Sequence, residues 1–487
     1  MRAGQVGLVF LLACALTAGA ATAAKRDLSL IDASRRDDVA AVKTLLAAKI
    51  DVNTHTADGA TALHWAAQND DLALADALVR RGAKVDAVND LGVTPLWIAA
   101  TNSSTAMIAR LLDARAKPDI APPMTHVTPL MIASQRGNAD AVKALLAHGA
   151  DPNAREDSHG QTALMWAVSG RYPQVVRLLL AAHADVRART RSWTQRMLLC
   201  CQYYEGEADS SVMVQKGGFT PLLFAAQDGD AESAKLLLAA GADVKDATPD
   251  GASALVVAAH AEQADVGAVL LDARADPNAA GTGYTALHVA AASGNLPLVK
   301  ALLDHGADLN ARQLKGSPTK RMPSGHSLDF KMVGATPYFL AVRSGRLEVM
   351  KLLAARGADL SIPLQDGRTA LMVLAGEATV EGQNLQDPQA TEVIKLAVKL
   401  GAPVDQAGPN GNTALHVAAT RRRDAIVQAL ADSGAALDVR NHDGETPLAV
   451  ALKPPTQIKG SGMIDDYEFL LKHTDTAELL KKLGAKT

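Results

Sequence analysis

The amino-acid sequence predicts an all-α solenoid of about twelve stacked helix-turn-helix units. Three observations lead to this prediction. A threonine followed by an apolar segment recurs about every 33 residues. A glycine recurs at the same place in most of these units. The chain of 487 residues is also longer than chains that fold around one compact hydrophobic core. It must therefore form either several domains or a core that lengthens with each stacked repeat.

The first helix of each unit begins after the recurring threonine. Threonine is a good N-cap residue, and the Pro or Ala that follows it suits the first helical position, where a missing N–H costs nothing. In the motif Thr-Ala-Leu-His-Trp-Ala-Ala of residues 61–67, the small alanines also allow neighbouring helices to approach closely. The openings predicted in this way lie at Thr61, Thr94, Thr128, Thr162, Thr220, Ser253, Thr285, Thr336, Thr369, Thr413 and Thr446.

The second helix of each unit is an amphipathic segment that ends at a glycine. In residues 142–146, apolar side chains recur at spacings of three and four residues. Gly149 follows, where the end of a helix often needs the left-handed conformation that glycine accepts easily. A short extended piece, residues 150–153, and a turn then lead to the next threonine; we call this connection the finger. One helix pair cannot bury its apolar face alone, so the units must stack.

Both ends of the predicted array depart from the regular repeat. Residues 28–58 are interpreted as a degenerate N-terminal cap, with charged residues where solvent would lie. Residues 446–487 are interpreted as an irregular C-terminal repeat, whose second helix is displaced to about residues 476–483 because Lys453-Pro454-Pro455 interrupts the chain. With these two ends, the array extends over residues 25–487.

The period, the Thr-Pro-Leu openings and the segments of the type Gly-Ala-Asp-Val-Asn together resemble ankyrin repeats. The resemblance covers nearly all of residues 28–487. It implies paired helices joined by finger loops, in an array that usually binds other proteins. It also implies that the histidine at the fourth position of the opening, as in His64, His288 and His416, forms a hydrogen bond between neighbouring units.

Three insertions interrupt the regular period. Residues 190–217 and residues 313–333 both interrupt a finger, so repeat geometry predicts that they leave the same edge of the array, three units or roughly 30 Å apart. Residues 376–388 separate the two helices of one unit, and their acidic, amide-containing composition favours a solvated loop.

The two finger insertions contain candidate partner-binding side chains. Aromatic and basic side chains on loops of a rigid frame are typical of binding hot spots. Alternatively, the apolar part of each insertion folds back onto neighbouring fingers and the charges merely solvate it. The candidates are Trp193, Arg196, Tyr203 and Tyr204 in the first insertion and Lys320, Arg321 and Phe330 in the second.

A second candidate surface follows from the resemblance. In ankyrin repeats the residues just after the paired alanines line the concave side of the array. Here these residues are polar and mixed in charge. Such a surface is better suited to binding a folded protein than to binding the phosphate backbone of a nucleic acid. They are Gln68, Asn69, Thr101, Asn102, Gln135, Arg136, Gln227, Asp228 and Arg343.

Residues 1–24 are typical of a secretory signal peptide. Arg2 precedes an apolar run at residues 6–13, and small residues follow before residue 25. This pattern predicts an exported protein, either periplasmic or secreted. Two alternatives are a membrane anchor, for which the run is too short to span a bilayer comfortably, and a bacterial lipoprotein acylated at Cys14.

Cleavage of that peptide would leave Cys200 and Cys201 as the cysteines of the mature chain, so disulfides do not build the fold. Neighbouring Cα atoms lie about 3.8 Å apart, below the roughly 4.4 Å that is usual for a disulfide. Four states remain open for this redox candidate pair: packed thiols, a mixed disulfide with another chain, a strained vicinal disulfide, or capture of a soft metal.

Amino-acid composition and sequence motifs exclude several classes of protein. A content of 48% hydrophobic and 21% charged residues excludes a disordered, collagen-like or multi-span membrane protein, and a net charge of −3 gives no overall attraction to nucleic acid. The sequence contains no HExxH, Walker, paired CxxC or nucleophile-elbow pattern.

We therefore predict a non-enzymatic, exported, monomeric scaffold that binds an unidentified protein partner through the concave face and the inserted fingers. It needs no cofactor, has no membrane span and binds no nucleic acid. The alternative is a periplasmic redox or metal-handling protein that uses Cys200 and Cys201.

Overall fold

The computed structural model describes residues 27–48, 50–198, 211–315, 317–322, 325–329, 332–376, 387–453 and 475–486. These residues form 24 α-helices, arranged as twelve successive pairs, and four β-strands. The predicted all-α repeat array is thereby confirmed, with two β-hairpins as additions. The chain divides into two compact units, the first ending at Lys117 and the second beginning at Pro118.

The first unit contains three helix pairs. Their bounds are α1 Ser29–Arg35, α2 Val39–Ala47, α3 Ala62–Gln68, α4 Leu72–Arg80, α5 Pro95–Thr101 and α6 Thr105–Asp113. Within this unit the first helices pack on each other in sequence, α1 on α3 and α3 on α5. The paired alanines that the sequence places between them, such as Ala66 and Ala67, are completely buried, so the close approach expected of small residues is present.

The second unit contains the other nine pairs and both hairpins. Its helices are α7 Pro129–Gln135, α8 Ala139–Ala147, α9 Ala163–Ser169, α10 Pro173–Ala181, α11 Pro221–Asp228, α12 Ala231–Ala239, α13 Ala254–His260, α14 Ala264–Asp272, α15 Ala286–Ser293, α16 Leu296–Asp304, α17 Pro337–Arg343, α18 Leu347–Ala355, α19 Ala370–Gly376, α20 Asp387–Lys399, α21 Ala414–Thr420, α22 Asp424–Asp432, α23 Pro447–Leu452 and α24 Thr476–Leu483. Its strands are β1 Ser192–Leu198, β2 Ser211–Gly217, β3 Ser317–Met322 and β4 Gly325–Asp329.

The threonine openings cap the first helices as the sequence predicts. The Oγ1 atom of Thr94 accepts a hydrogen bond from the N–H of Trp97 at 3.1 Å, and that of Thr336 accepts one from Phe339 at 3.2 Å. The second helices begin at a different set of caps, for example Asp71, whose carboxylate accepts from the N–H of Leu74 at 2.9 Å. Each cap satisfies one of the N–H groups that a helix start leaves without a backbone acceptor.

Hydrogen bonds between successive fingers tie the repeats together. The Oδ1 atom of Asn153 accepts from the N–H of Asp185 at 2.7 Å, and Asn278 does the same for Asp308 at 2.7 Å. Arg187 and Lys245 occupy this position in two consecutive fingers. Neither side chain has an acceptor atom, so the bond cannot form there. The interruption coincides with the region of the first finger insertion.

The first insertion forms a β-hairpin, which the sequence had not indicated. Strand β1 pairs antiparallel with β2, from Ser192 opposite Gly217 to Leu198 opposite Ser211. The hairpin base is closed at the finger itself, because the N–H of Thr190 donates to the carbonyl of Phe219 at 2.9 Å. The finger therefore keeps its path into α11 although the chain makes a long excursion.

The second insertion also forms an antiparallel hairpin, β3 with β4, which contains an irregularity between Lys320 and Met322. Its base is closed by Gln313, whose N–H donates to the carbonyl of Ala335 at 2.9 Å. Beneath this base lies a buried cluster that includes Met332 and Phe339. The repeat stacking is thus continuous past this insertion as well.

The third insertion lies between α19 and α20, and residues 377–386 are outside the described part of the chain. Arg423 of the next repeat holds its two ends together. The guanidinium donates to the carbonyl of Leu374 at 2.7 Å and to the carboxylate of Asp387 at 3.0 Å. Two helix ends separated by an insertion are therefore fixed by one half-buried basic side chain, whose exposed fraction is 20%.

None of the helices in the described part of the chain is long and apolar enough to cross a membrane.

Candidate functional site

The nine candidates that the resemblance assigns to a concave side all lie at the ends of first helices. Gln68, Thr101, Gln135 and Arg343 are the last residues of α3, α5, α7 and α17, and Gln227 and Asp228 end α11. Asn69, Asn102 and Arg136 are the C-cap residues that follow α3, α5 and α7. Five of the nine are exposed and four are half-buried; the exposed ones are Gln68, Asn69, Asn102, Gln135 and Arg136.

The two asparagines among them are engaged in the scaffold. Within the first unit, Nδ2 of Asn69 donates to the carbonyl of Ser34 at 2.9 Å. Nδ2 of Asn102 donates to the carbonyls of Ala67 at 3.1 Å and Gln68 at 3.0 Å. These carbonyls lie in the last turn of the preceding first helix, where the carbonyls of Ser34 and Ala67 also accept the backbone N–H groups of Asp37 and Asp70. The asparagines therefore join successive repeats, a role that sequence reasoning missed.

Two further candidates also have partners within the array. The carboxylate of Asp228 accepts from the hydroxyl of Ser169 in the preceding repeat at 2.6 Å. The hydroxyl of Thr101 donates to the carbonyl of Trp97 at 3.0 Å, within its own helix. Among the described residues, the side chains of Gln68, Gln135, Arg136 and Gln227 make no hydrogen bond or ion pair. These four are the candidates whose polar groups are available to a partner.

This division predicts different outcomes for neighbouring substitutions. Asn102→Ala removes two hydrogen bonds between repeats and should lower the free energy of unfolding by about 1–2 kcal/mol. Gln68→Ala, at the exposed end of α3, should change it by less than about 0.5 kcal/mol. Urea denaturation followed by circular dichroism measures both. Equal effects of the two substitutions would show that Asn102 does not join the repeats.

The first finger insertion presents one exposed aromatic ring in the described residues. Trp193 in β1 is 47% exposed. Its ring lies against Gly217 at the end of β2, where a Cβ atom would come within 2.7 Å of the ring and where φ is +77°. Only glycine accepts both conditions without strain. The ring therefore has a defined position at the base of the hairpin while much of its surface faces solvent.

Charged side chains fix the base of this hairpin to the adjoining fingers. The guanidinium of Arg189 donates to the carbonyls of Gly218 at 2.8 Å and Ala247 at 3.0 Å, and it pairs with Asp246. The ammonium of Lys216 lies 3.7 Å from the carboxylate of Asp250. The contacts of Arg189 therefore position the base of the hairpin.

Of the other candidates in the insertions, some lie on described strands and the rest lie outside the described residues. Arg196 lies in β1, and Lys320 and Arg321 lie in β3. For these strand positions the structure describes the backbone. Tyr203, Tyr204, Phe330, Cys200 and Cys201 lie outside the described residues.

The fourth-position histidines make the bond that the resemblance implies. Nδ1 of His64 accepts from the N–H of Thr61 at 3.1 Å, and Nε2 lies 3.0 Å from the carbonyl of Val93 in the next finger. Since Nδ1 accepts, Nε2 carries the proton and donates. His416 makes the same pair of contacts, and burial lowers the pKa of both rings.

His288 makes this bond across the second insertion. Its Nε2 lies 3.1 Å from the carbonyl of Ala335, 47 residues away along the chain. The hairpin base brings Ala335 to the position that a residue 29 positions away occupies for His64. Burial lowers the pKa of His288 to about 4, so its ring is neutral near neutral pH. These histidines are structural, and a neutral ring is the form that the array needs.

We searched the described residues for a metal site and for a cavity. They contain no group of three or more His, Cys, Asp or Glu side chains arranged to hold a metal ion. A small cavity beside Tyr338, Thr369 and Gln406 has a volume of about 10 Å³, which is room for a single water molecule. In the described residues, the ends of the first helices present polar side chains to solvent and β1 presents Trp193.

Comparison with known proteins agrees with this architecture. The sequence profile described as ankyrin repeats in three copies matches residues 30–122, 121–190, 196–280, 222–313 and 386–481, and the profile of a single ankyrin repeat matches residues 333–363. Ankyrin repeat regions are typically protein-protein interaction scaffolds and are usually non-catalytic.

Several proteins are similar to parts of the chain. The E3 ubiquitin-protein ligase KEG of Arabidopsis thaliana is 28% identical over 51% of this chain and 14% of its own length. The B-cell lymphoma 3 protein homolog of Mus musculus is 32% identical over 38% of this chain and 37% of its own length. A solved structure, the human ASB11 ankyrin repeat domain, is 28% identical, with a TM-score of 0.39, over 51% of this chain and 98% of that one. The chain thus spans less than half the length of these two curated relatives.

The profile matches extend over most of the chain, and the described residues form twelve successive helix pairs. The chain belongs to the ankyrin repeat family.

Proposed function

We propose that this protein is a non-enzymatic scaffold that binds a folded partner protein. In the second unit, the contact surface is formed by the ends of the first helices together with the first hairpin. The observation that carries the proposal is the set of unengaged side chains Gln135, Arg136 and Gln227, which occupy equivalent ends of α7 and α11. Their neighbours at such ends, like Asp228, are bound within the array.

The chemistry of these side chains suits a protein surface. Arginine and tryptophan are enriched where protein interfaces bind most strongly, and amide side chains add hydrogen bonds at the rim. Trp193 supplies an exposed ring on the same unit. Because the frame is fixed by caps and inter-repeat bonds, a partner would meet side chains that lose little conformational entropy on binding.

The test is a crosslinking capture from the native envelope with three forms of the full chain. The first is unchanged, the second is Gln135→Ala/Arg136→Ala/Gln227→Ala, and the third is the control Lys143→Ala/Lys235→Ala. Both control lysines are exposed on second helices. We expect one protein to be captured by the unchanged form and the control but lost from the triple variant. Retention by all three forms would contradict the proposed surface.

We also propose that the protein is exported, to the periplasm or beyond. The support is the sequence of residues 1–24, with its charged start, apolar run and small residues before residue 25. N-terminal sequencing of the protein from the periplasmic fraction should find a mature chain that begins near residue 25. An intact N-terminus on protein retained in the cytoplasm would contradict export.

A further inference from the structure

The two hairpins leave the array at fingers that are three repeats apart. The first has its base at Thr190 and Phe219, and the second has its base at Gln313 and Ala335. With successive repeats about 10 Å apart, these bases are separated by roughly 30 Å. Two hairpins that projected straight from the array would remain at this distance from each other.

The strands nevertheless converge. Cα atoms of β4 lie within 8 Å of Cα atoms of β1. Each strand is hydrogen-bonded only to its own hairpin partner, β1 to β2 and β4 to β3. The two hairpins therefore approach through one strand of each, and the approach is a meeting of two separate sheets.

The lengths of the strands allow this meeting. β1 has seven residues and β3 has six. At about 3.3 Å per residue these strands reach about 23 Å and about 20 Å from their bases. Their combined reach exceeds the roughly 30 Å between the bases, so both hairpins can incline along the array and overlap.

Contacts at its base fix the first hairpin to the fingers on both sides. Gly218 lies so close to the following finger that a Cβ atom on it would come within 2.6 Å of Pro249. Lys216 pairs with Asp250 of that same finger. The β2 side of the hairpin base is thus bound to the following finger, and Arg191, just before β1, pairs with Asp157 of the preceding finger at 3.7 Å.

The base of the second hairpin is bound to the finger that precedes it. The N–H of Leu314 donates to the carbonyl of Gly283 in the preceding finger at 2.7 Å. The first hairpin has the equivalent bond, from the N–H of Arg191 to the carbonyl of His159 at 2.6 Å. Both bases are therefore held against the preceding finger, and the approach of the two hairpins is made by β1 and β4 themselves.

The approach of β1 to β4 limits which further strands can pair with the outer edges of these hairpins. The outer edge of a two-stranded sheet presents unpaired N–H and C=O groups, which readily pair with another chain. A third strand inserted between β1 and β4 would need two strand spacings, about 9.6 Å in all. The approach within 8 Å is shorter than this, so β1 and β4 have room only for each other.

We propose that the two hairpins form one inter-hairpin bridge, in which β1 of the first packs against β4 of the second across the two fingers that follow α12 and α14. The bridge is a strap that links repeats which otherwise touch only their immediate neighbours. It restrains the separation of the fingers beneath it and leaves no room for a further strand between β1 and β4. This proposal is independent of the proposed partner-binding function.

A distance measurement between the hairpins tests the bridge directly. In full-length protein with Cys14, Cys200 and Cys201 changed to Ser, the substitutions Thr194→Cys in β1 and Ser327→Cys in β4 provide two spin-label sites. Double electron-electron resonance should give one narrow distribution, well below the roughly 30 Å that separates the two bases. A broad distribution centred at or beyond that separation would overturn the proposal.

Trypsin digestion gives a second readout that does not need labels. Lys320 and Arg321 in β3 are trypsin sites within the second hairpin. Replacing residues 192–217 with a short Gly-Ser turn should accelerate cleavage there several-fold, because β4 loses the strand that covers it. Replacing residues 377–386 in the same way is the matched control and should leave the rate unchanged. If removal of the first hairpin also left the rate unchanged while circular dichroism showed a folded array, the bridge would be refuted.

Discussion

Leu302→Ala is expected to lower the free energy of unfolding by about 2–5 kcal/mol, because it removes a buried side chain and leaves a cavity that close-packed neighbours cannot fill. Leu302 lies in α16 and is completely buried. In a solenoid each repeat is stabilised by its neighbours, so a cavity in α16 also weakens the interfaces on both sides. The midpoint of urea denaturation, followed by circular dichroism, measures the loss.

The same helix provides the matched control. Leu296 is the first residue of α16 and is 37% exposed. Leu296→Ala makes the same chemical change where water already reaches the side chain, so we expect a loss of less than about 1 kcal/mol. Similar losses for the two variants would mean that α16 does not pack through Leu302 as the structure describes.

His288 is expected to make the array less stable in moderately acidic solution. In the folded protein burial lowers the pKa of this ring from its ordinary value of 6.5 to about 4. Above pH 6.5 the ring is neutral in both the folded and the unfolded chain. As the pH falls from 6.5 to 4, the unfolded chain binds a proton that the folded chain does not, so the free energy of unfolding decreases. The full loss at lower pH is on the order of 3 kcal/mol.

The variant His288→Gln removes this titration. We expect it to start from a lower stability at pH 7, since the contact with Ala335 changes, but to lose about 3 kcal/mol less than the unchanged protein between pH 7 and pH 4. His305→Gln is the control, because His305 is an exposed histidine of the same repeat. Urea midpoints measured across this pH range report the slopes. Parallel slopes for the unchanged protein and His288→Gln would contradict the account.

The features that sequence reasoning predicted are those that depend on local chemistry and on repetition. Thr94 and Thr336 begin helices because their hydroxyls accept a hydrogen bond three residues ahead, and this requires nothing distant. The paired alanines are buried because every unit repeats them at the same place, and stacked units bring equal positions together. The histidine bonds followed from the resemblance and are present at His64, His288 and His416.

The features that sequence reasoning missed depend on which side chains become neighbours. Asn69 and Asn102 look like polar surface residues in the sequence, but their amides meet the helix ends of the preceding repeat. A recurring asparagine at the end of a first helix was the available signal. The role of Arg423, which joins Leu374 to Asp387 across an insertion, left no such signal because it occurs once.

The amino-acid sequence alone was sufficient to predict the family, the number of helix pairs and the positions of their starts, since each rests on contacts that recur within about one repeat. Only the tertiary structure showed that two insertions are hairpins and that β1 meets β4. The physical reason is that strand pairing joins residues through backbone groups that every sequence possesses. Which strands approach each other therefore depends on where the folded repeats hold the hairpin bases. No local sequence pattern determines the distance between those bases.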